Sequence, residues 1–96
     1  DGARYANAAA ALDLPLGALS AAVGVDVLCF GGTKNGLLGA EAVLAFDPAL
    51  AERLAYARKQ STQLASKMRF LAAQFVAYLE DDLWRRLAGQ ANAMAA

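Results

Sequence analysis

Three residues in this chain have side chains and neighbours suited to covalent chemistry: Asp1 and Arg4 in "DGAR", and Lys34 in "GGTKNG". Lys34 is the first lysine, the next being Lys59, and it lies between two apolar runs, "VDVLCF" (Val25 to Phe30) and "AEAVLAF" (Ala40 to Phe46). An ammonium hemmed in by apolar strands and glycines loses hydration, which favours the neutral amine, a nucleophile toward carbonyls. Gly31 and Gly32 remove side chains from one line of approach, and Thr33 adds a hydroxyl that could meet a phosphate. The competing reading is a loop lysine whose stem lies on apolar surface while its head reaches water. Asp1 and Arg4 are three residues apart, so a turn puts them on one side. There the acid can hold a protonated ring nitrogen and the guanidinium can take a phenolate or carboxylate. The same spacing also describes a helix N-cap followed by an exposed arginine, and spacing alone favours that simpler reading.

The elements that must position these residues alternate in type. "ARYANAAAALDL" (Ala3 to Leu14) is alanine-dense and helical, ended by Pro15, and "PLGALSAAV" predicts a second short helix closed by Gly24. "VDVLCF" and "AEAVLAF" predict two buried strands, about 25–31 and 40–46, separated by a loop bracketed by Gly31, Gly32, Gly36 and Gly39. "DPALAERLAYARKQ" opens with an N-cap aspartate and proline at the first helical position. From Thr62, the spacing of Leu64, Met68, Leu71, Phe75 and Leu79 predicts a helix apolar almost all round, and therefore buried, often between subunits. "LEDDLWRRLAGQANAMAA" restarts a helix with its acids first, and its acids and arginines are spaced for surface pairs along that helix. The fold class is α/β.

Composition narrows the function classes. Nine basic residues balance nine acidic ones among 96, so no global field favours nucleic acid or an anionic membrane. The set Arg53, Arg58, Lys59, Lys67 and Arg69 lacks interleaved aromatics and reads as a solvated helix face with a subunit contact. Cys29 is the single cysteine; it reads as a small buried apolar residue and suits a reducing cytosol. There is no histidine, which removes the commonest general base and metal ligand, and no metal-ligand spacing occurs. The apolar fraction of 58% exceeds the roughly 45–50% of ordinary domains, much of it as alanine. With a start at Asp1 rather than methionine and no stop signal in "ANAMAA", this predicts a part of a larger body with apolar faces to cover.

Taken together, an acid, an arginine three residues on, and a lysine 33 positions after the acid (34 minus 1) in a glycine-bracketed turn resemble a known family. "DGARYANAAAAL", "GGTKNGLLGAEAVLAF" and "RKQSTQLASKMRFLAAQ" are similar to the L-threonine aldolases of the bacterial low-specificity type, grouped with the β-eliminating lyases. The blocks come in family order, and the resemblance runs to "LWRRLAGQANAMAA". It implies the aspartate-aminotransferase-like fold, with residues 1–78 in the cofactor-binding large domain and 79–96 a helix leading towards the small domain. It implies pyridoxal 5'-phosphate as cofactor, held by Lys34 as a Schiff base, with Asp1 at the ring nitrogen and Arg4 near the ring oxygen and the substrate carboxylate. Thr33 would contact the phosphate, and Lys59 and Arg69 would lie near the site at a subunit boundary. The implied reaction is aldol cleavage of threonine or allo-threonine to glycine and an aldehyde, in a cytoplasmic homodimer or homotetramer, with the segment alone inactive. Another lyase or an aminotransferase of the same fold is the neighbouring alternative. A non-catalytic helical oligomerisation module is the distant one, resting on the apolar stretch from Thr62 to Leu79.

Overall fold

Backbone pairing around two glycines organises the molecule, which is described for all residues 1–96 by a computed structural model. Strand β1 (Val27–Gly31) pairs antiparallel with β2 (Glu41–Ala45), in a register that sets Val27 opposite Ala45 and Gly31 opposite Glu41. On the other edge of β1, Gly2 forms a parallel bridge to Phe30. The Gly2 carbonyl accepts from the Gly31 N–H at 3.1 Å and also from the Tyr5 N–H at 3.1 Å. That second bond turns the chain into helix α1 (Tyr5–Ala11). The approach demands glycine: a Cβ on Gly2 would stand 2.3 Å from the Cys29 carbonyl oxygen and 2.9 Å from Leu28 Cδ1.

Beyond β2, Asp47 caps α2 (Pro48–Gln60), its carboxylate accepting from the Ala49 N–H at 2.9 Å. Helices α3 (Arg69–Leu79) and α4 (Leu83–Ala95) complete the chain. The core is a small cluster of Tyr5, Ala6, Ala9, Leu28, Phe30, Tyr78, Trp84 and Ala88, drawn from α1, β1, α3 and α4. Phe30 is its hub, with ring centroids 5.8 Å from Tyr5, 5.8 Å from Phe75 and 6.1 Å from Tyr78. Edge-on and tilted contacts at these separations are the favourable ones for aromatic rings. Polar pairs fasten α1 to α4. Asn7 donates to Asn92 Oδ1 at 3.1 Å, and Asn92 donates back to the Asn7 carbonyl at 3.0 Å. Arg85 donates to Asp13 Oδ1 at 2.6 Å and to the Leu14 carbonyl at 3.1 Å, its guanidinium lying over Trp84. No single helix is long and apolar enough to cross a membrane.

Several expectations need correction. The strands are not buried on both faces: β1 buries Leu28 and Phe30 while Val27 and Cys29 are exposed, and β2 has no buried residue. A continuous apolar run is what a doubly covered strand would need, but these residues cover one face only. Cys29 is thus an exposed thiol, not a packed core residue. The first helix is shorter than Ala3–Leu14, because the Gly2 tie holds its start and Asp13 enters the left-handed region at φ 51°. "PLGALSAAV" makes two 3₁₀ turns, Leu16–Leu19 and Ala21–Val23, hinged at buried Ser20, whose carbonyl takes the Val23 and Val25 N–H groups. The long helix starts at Arg69 instead of Thr62, since Thr62 (φ 58°) and Lys67 (φ 57°) break the backbone before it. Only Tyr78 is buried on α3, and Phe70, Val76 and Leu79 face outward. Asp81 and Asp82, also left-handed, separate α3 from α4. The arginines of "EDDLWRR" bond elsewhere than expected: Arg86 reaches the Asp81 backbone carbonyl and Arg85 crosses to Asp13.

The Gly2 approach yields a stability test. Gly2→Ala should destabilise the fold by about 1–3 kcal/mol, the range for inserting atoms where none fit. A denaturant midpoint equal to that of the unchanged protein would show that the edge pairing is loose.

Candidate active site

β1 runs directly into the turn that carries Lys34. The Gly32 N–H donates to the Ala40 carbonyl at 2.9 Å, extending the strand pairing by one bond. The Gly32 carbonyl then accepts from the Asn35 N–H at 2.9 Å and the Leu37 N–H at 3.1 Å, closing a 3₁₀ turn over Thr33–Asn35. Gly36 leaves it at φ 100°, a conformation that side-chain-bearing residues avoid. Within the turn the side chains diverge. Thr33 and Lys34 are exposed, while Asn35 is only 5% exposed. Asn35 Nδ2 donates to the Tyr78 hydroxyl and, at 3.1 Å, to the Trp84 carbonyl.

The acid and arginine arrive from the other edge of β1. Asp1 precedes Gly2, whose bridge to Phe30 sets the start of the chain beside the strand end. Asp1 Oδ1 accepts from the Ala3 N–H at 3.0 Å, which holds the carboxylate at the head of the turn into α1. Arg4 occupies the N-cap position of α1 with its side chain exposed. The single ion pair of the structure joins Arg85 and Asp13, so Asp1, Arg4 and Lys34 are all without a charged partner. The topology therefore brings the DGAR turn and the lysine turn to the same end of β1. The dry surroundings expected for Lys34 are not supplied by these residues, because Lys34 lies on the exposed side of its turn, opposite buried Asn35. Lys59, in the last turn of α2, and Arg69, at the start of α3 with its guanidinium 4.7 Å from the Phe70 ring centre, are exposed and do not bond to the lysine turn.

Three residues at this end were not singled out by sequence reasoning. Glu41 lies opposite Gly31, and its Oε2 stands 2.8 Å from where a Gly31 Cβ would be, so a carboxylate covers that glycine. Only strand register reveals this. Asn35 sat in a glycine loop that gave no sign of burial, and Tyr78 sat inside an apolar helical repeat. Chemically, the end of β1 presents an amine, a carboxylate, a guanidinium and a hydroxyl on two adjoining turns. Such a set suits a ligand with an aldehyde, a basic ring nitrogen and an anionic group.

The beta-eliminating lyase family model matches residues 1–96, the whole chain. The chain belongs to that family. Among curated members of similar sequence, a low-specificity L-threonine aldolase of Pseudomonas aeruginosa is 57% identical over 95 residues, which is 99% of this chain and 28% of that protein. A protein of the same description from Pseudomonas sp. is 54% identical over 92 residues, 96% of this chain and 27% of that protein. This lyase-family chain thus spans somewhat more than a quarter of the length of the curated relatives it matches. Its mixed α/β architecture, with a two-stranded sheet and flanking helices, fits a segment of such a lyase.

Burial pushes the Tyr78 hydroxyl above its ordinary value of about 10, a rise that the Asn35 hydrogen bond partly offsets. The neutral phenol is favoured in the fold, so its stabilising share is whole below the unfolded value and disappears as pH rises through the folded one. Tyr78→Phe should therefore flatten the alkaline fall in stability above about pH 10, measured as unfolding free energy against pH. Equal slopes for the two proteins would contradict the assignment.

Proposed function

We propose that this chain carries the lysine-bearing part of the active site of a pyridoxal 5'-phosphate-dependent aldehyde-lyase of the threonine aldolase kind. What supports the reading is the bridge between Gly2 and Phe30, which sets the DGAR turn beside the strand that ends in the Lys34 turn. The donor set fits the cofactor: Lys34 matches its aldehyde, Asp1 its pyridine nitrogen, Arg4 its ring oxygen, and Thr33 its phosphate. In this reading residues 1–78 belong to the aminotransferase-like large domain and 79–96 lead towards the small domain. The break at Glu80–Asp82 suits that division, while Trp84 and Ala88 keep α4 attached to the large-domain core.

When bound, the cofactor supplies an electron sink for cleavage of a bond at the substrate Cα. The chain's own residues bind and orient. Lys34 Nζ would hold the cofactor through its aldehyde group. Asp1 keeps a proton on the ring nitrogen, since a carboxylate beside that atom favours its charged form. Arg4 takes the substrate carboxylate through paired N–H donors. The β-hydroxyl loses a proton, the Cα–Cβ bond breaks, an aldehyde departs and Cα regains a proton to give glycine. With no histidine in these residues, the base for the hydroxyl is assigned to the rest of the enzyme. The exposed apolar residues Phe70, Val76 and Leu79 of α3 suit coverage by other parts of a homo-oligomer, and the single unpaired thiol suits a cytoplasmic setting.

The test uses the full-length enzyme. Borohydride reduction should fix the cofactor to Lys34, as read by peptide mass, and Lys34→Ala should remove both the visible colour and aldehyde release from L-threonine. Colour with release of pyruvate or an oxo acid instead would favour a different lyase or an aminotransferase. An uncoloured protein would leave the oligomerisation module.

A further inference from the structure

The Lys34 turn is short, exposed on one side and flanked by glycines, a combination that by itself permits several directions for the amine. Its backbone bonds all gather at Gly32, which leaves the outgoing half without ladder support. Side chains from the helices supply what the backbone does not. On α3, Gln74 accepts from the Leu38 N–H at 2.7 Å and donates to the Leu38 carbonyl at 3.2 Å. One turn further along the same helix, the Tyr78 hydroxyl receives Asn35 Nδ2, and the Trp84 carbonyl at the start of α4 receives it as well. Asn35 is the neighbour of Lys34 in sequence and the buried member of the turn.

We propose that Asn35 is the positioning residue of this site: its carboxamide, seated on the Tyr78 hydroxyl and the Trp84 carbonyl, fixes the direction in which Lys34 presents its amine. The inference rests on the reading of Lys34 as the cofactor-bearing lysine. Geometry explains why an amide is needed. Two N–H donors on one nitrogen satisfy two acceptors that belong to different helices, and no hydroxyl or carboxylate side chain can do that. An aspartate keeps the shape of asparagine but turns an oxygen toward the Trp84 carbonyl, so it should act like a deletion. Because a misplacement of about 1 Å can cost on the order of 100-fold in rate, a freed turn should be felt at the chemical step.

The experiment compares the full-length holoenzyme with Asn35→Ala, Asn35→Asp and Tyr78→Phe. Four quantities are read: the thermal melt, borohydride fixation at Lys34, the visible circular dichroism of the bound cofactor per unit absorbance, and kcat and KM for L-threonine. For Asn35→Ala and Asn35→Asp the expected result is cofactor still fixed at Lys34, a reduced dichroism ratio, and kcat lowered about 10- to 100-fold with KM little changed. Tyr78→Phe keeps the Trp84 bond and should show a smaller change in the same direction. If either Asn35 variant fails to fold, Tyr78→Phe decides through the same ratio. Unchanged dichroism ratio and kcat in the folded variants would overturn the positioning role while leaving the cofactor assignment standing. A wild-type enzyme without cofactor on Lys34 would overturn both.

Discussion

One buried carboxamide ties the exposed chemistry of this chain to its interior. Without the Asn35 side chain, the side-chain hydrogen bonds from the turn after β1 to the helices would be those of the exposed Gln74–Leu38 pair, beside the packing of Leu37 on the core. Its two bonds run to a phenol on α3 and to a peptide carbonyl on α4, so one residue senses both helices. Buried polar contacts of this kind contribute modestly when made and cost much more when half-made. Their effect is to select one arrangement among several of similar apolar burial. Here the selected arrangement sets Tyr78 under the lysine turn and against Phe30, so a single phenol serves both the polar tie and the aromatic cluster.

That cluster is small, and its position matters more than its size. Phe30 lies in β1 just before the two glycines, and it touches Tyr5 from α1 and Tyr78 from α3. The same residue is the bridge partner of Gly2. Apolar packing and main-chain pairing therefore converge at the end of β1 that the DGAR turn and the lysine turn share. The periphery is held otherwise. The Asn7–Asn92 pair and the Arg85–Asp13 pair fasten α1 to α4, the latter with Asp13 almost wholly exposed, where an ion pair contributes tenths of a kcal/mol.

Local signals in the sequence were read well where the chain settles them locally. Asp47 and Pro48 start α2 where their types dictate, and the glycine loop separates two strands that do pair. The candidate residues stand out in the sequence because lysine is scarce there and its neighbours are small. What was not legible depends on contacts distant in sequence. Burial of Asn35 needs Tyr78 and Trp84. The place of Glu41 needs the strand register. Apolar runs in the strands and in α3 predict burial all round, whereas the residues present cover one face, so Cys29, Val43 and Val76 face outward. Left-handed Thr62 and Lys67 interrupted a helix that periodicity alone would have continued, since neither residue type announces that conformation.

The separation of the carboxamide from its two acceptors also sets a temporal order. Tyr78 lies 43 residues and Trp84 49 residues downstream of Asn35. At a ribosomal pace of about 5–20 residues per second, the lysine loop is synthesised several seconds before either acceptor exists. Nascent chains must therefore carry this loop unfastened for that interval, and its buried tie forms only once the α4 segment has been made.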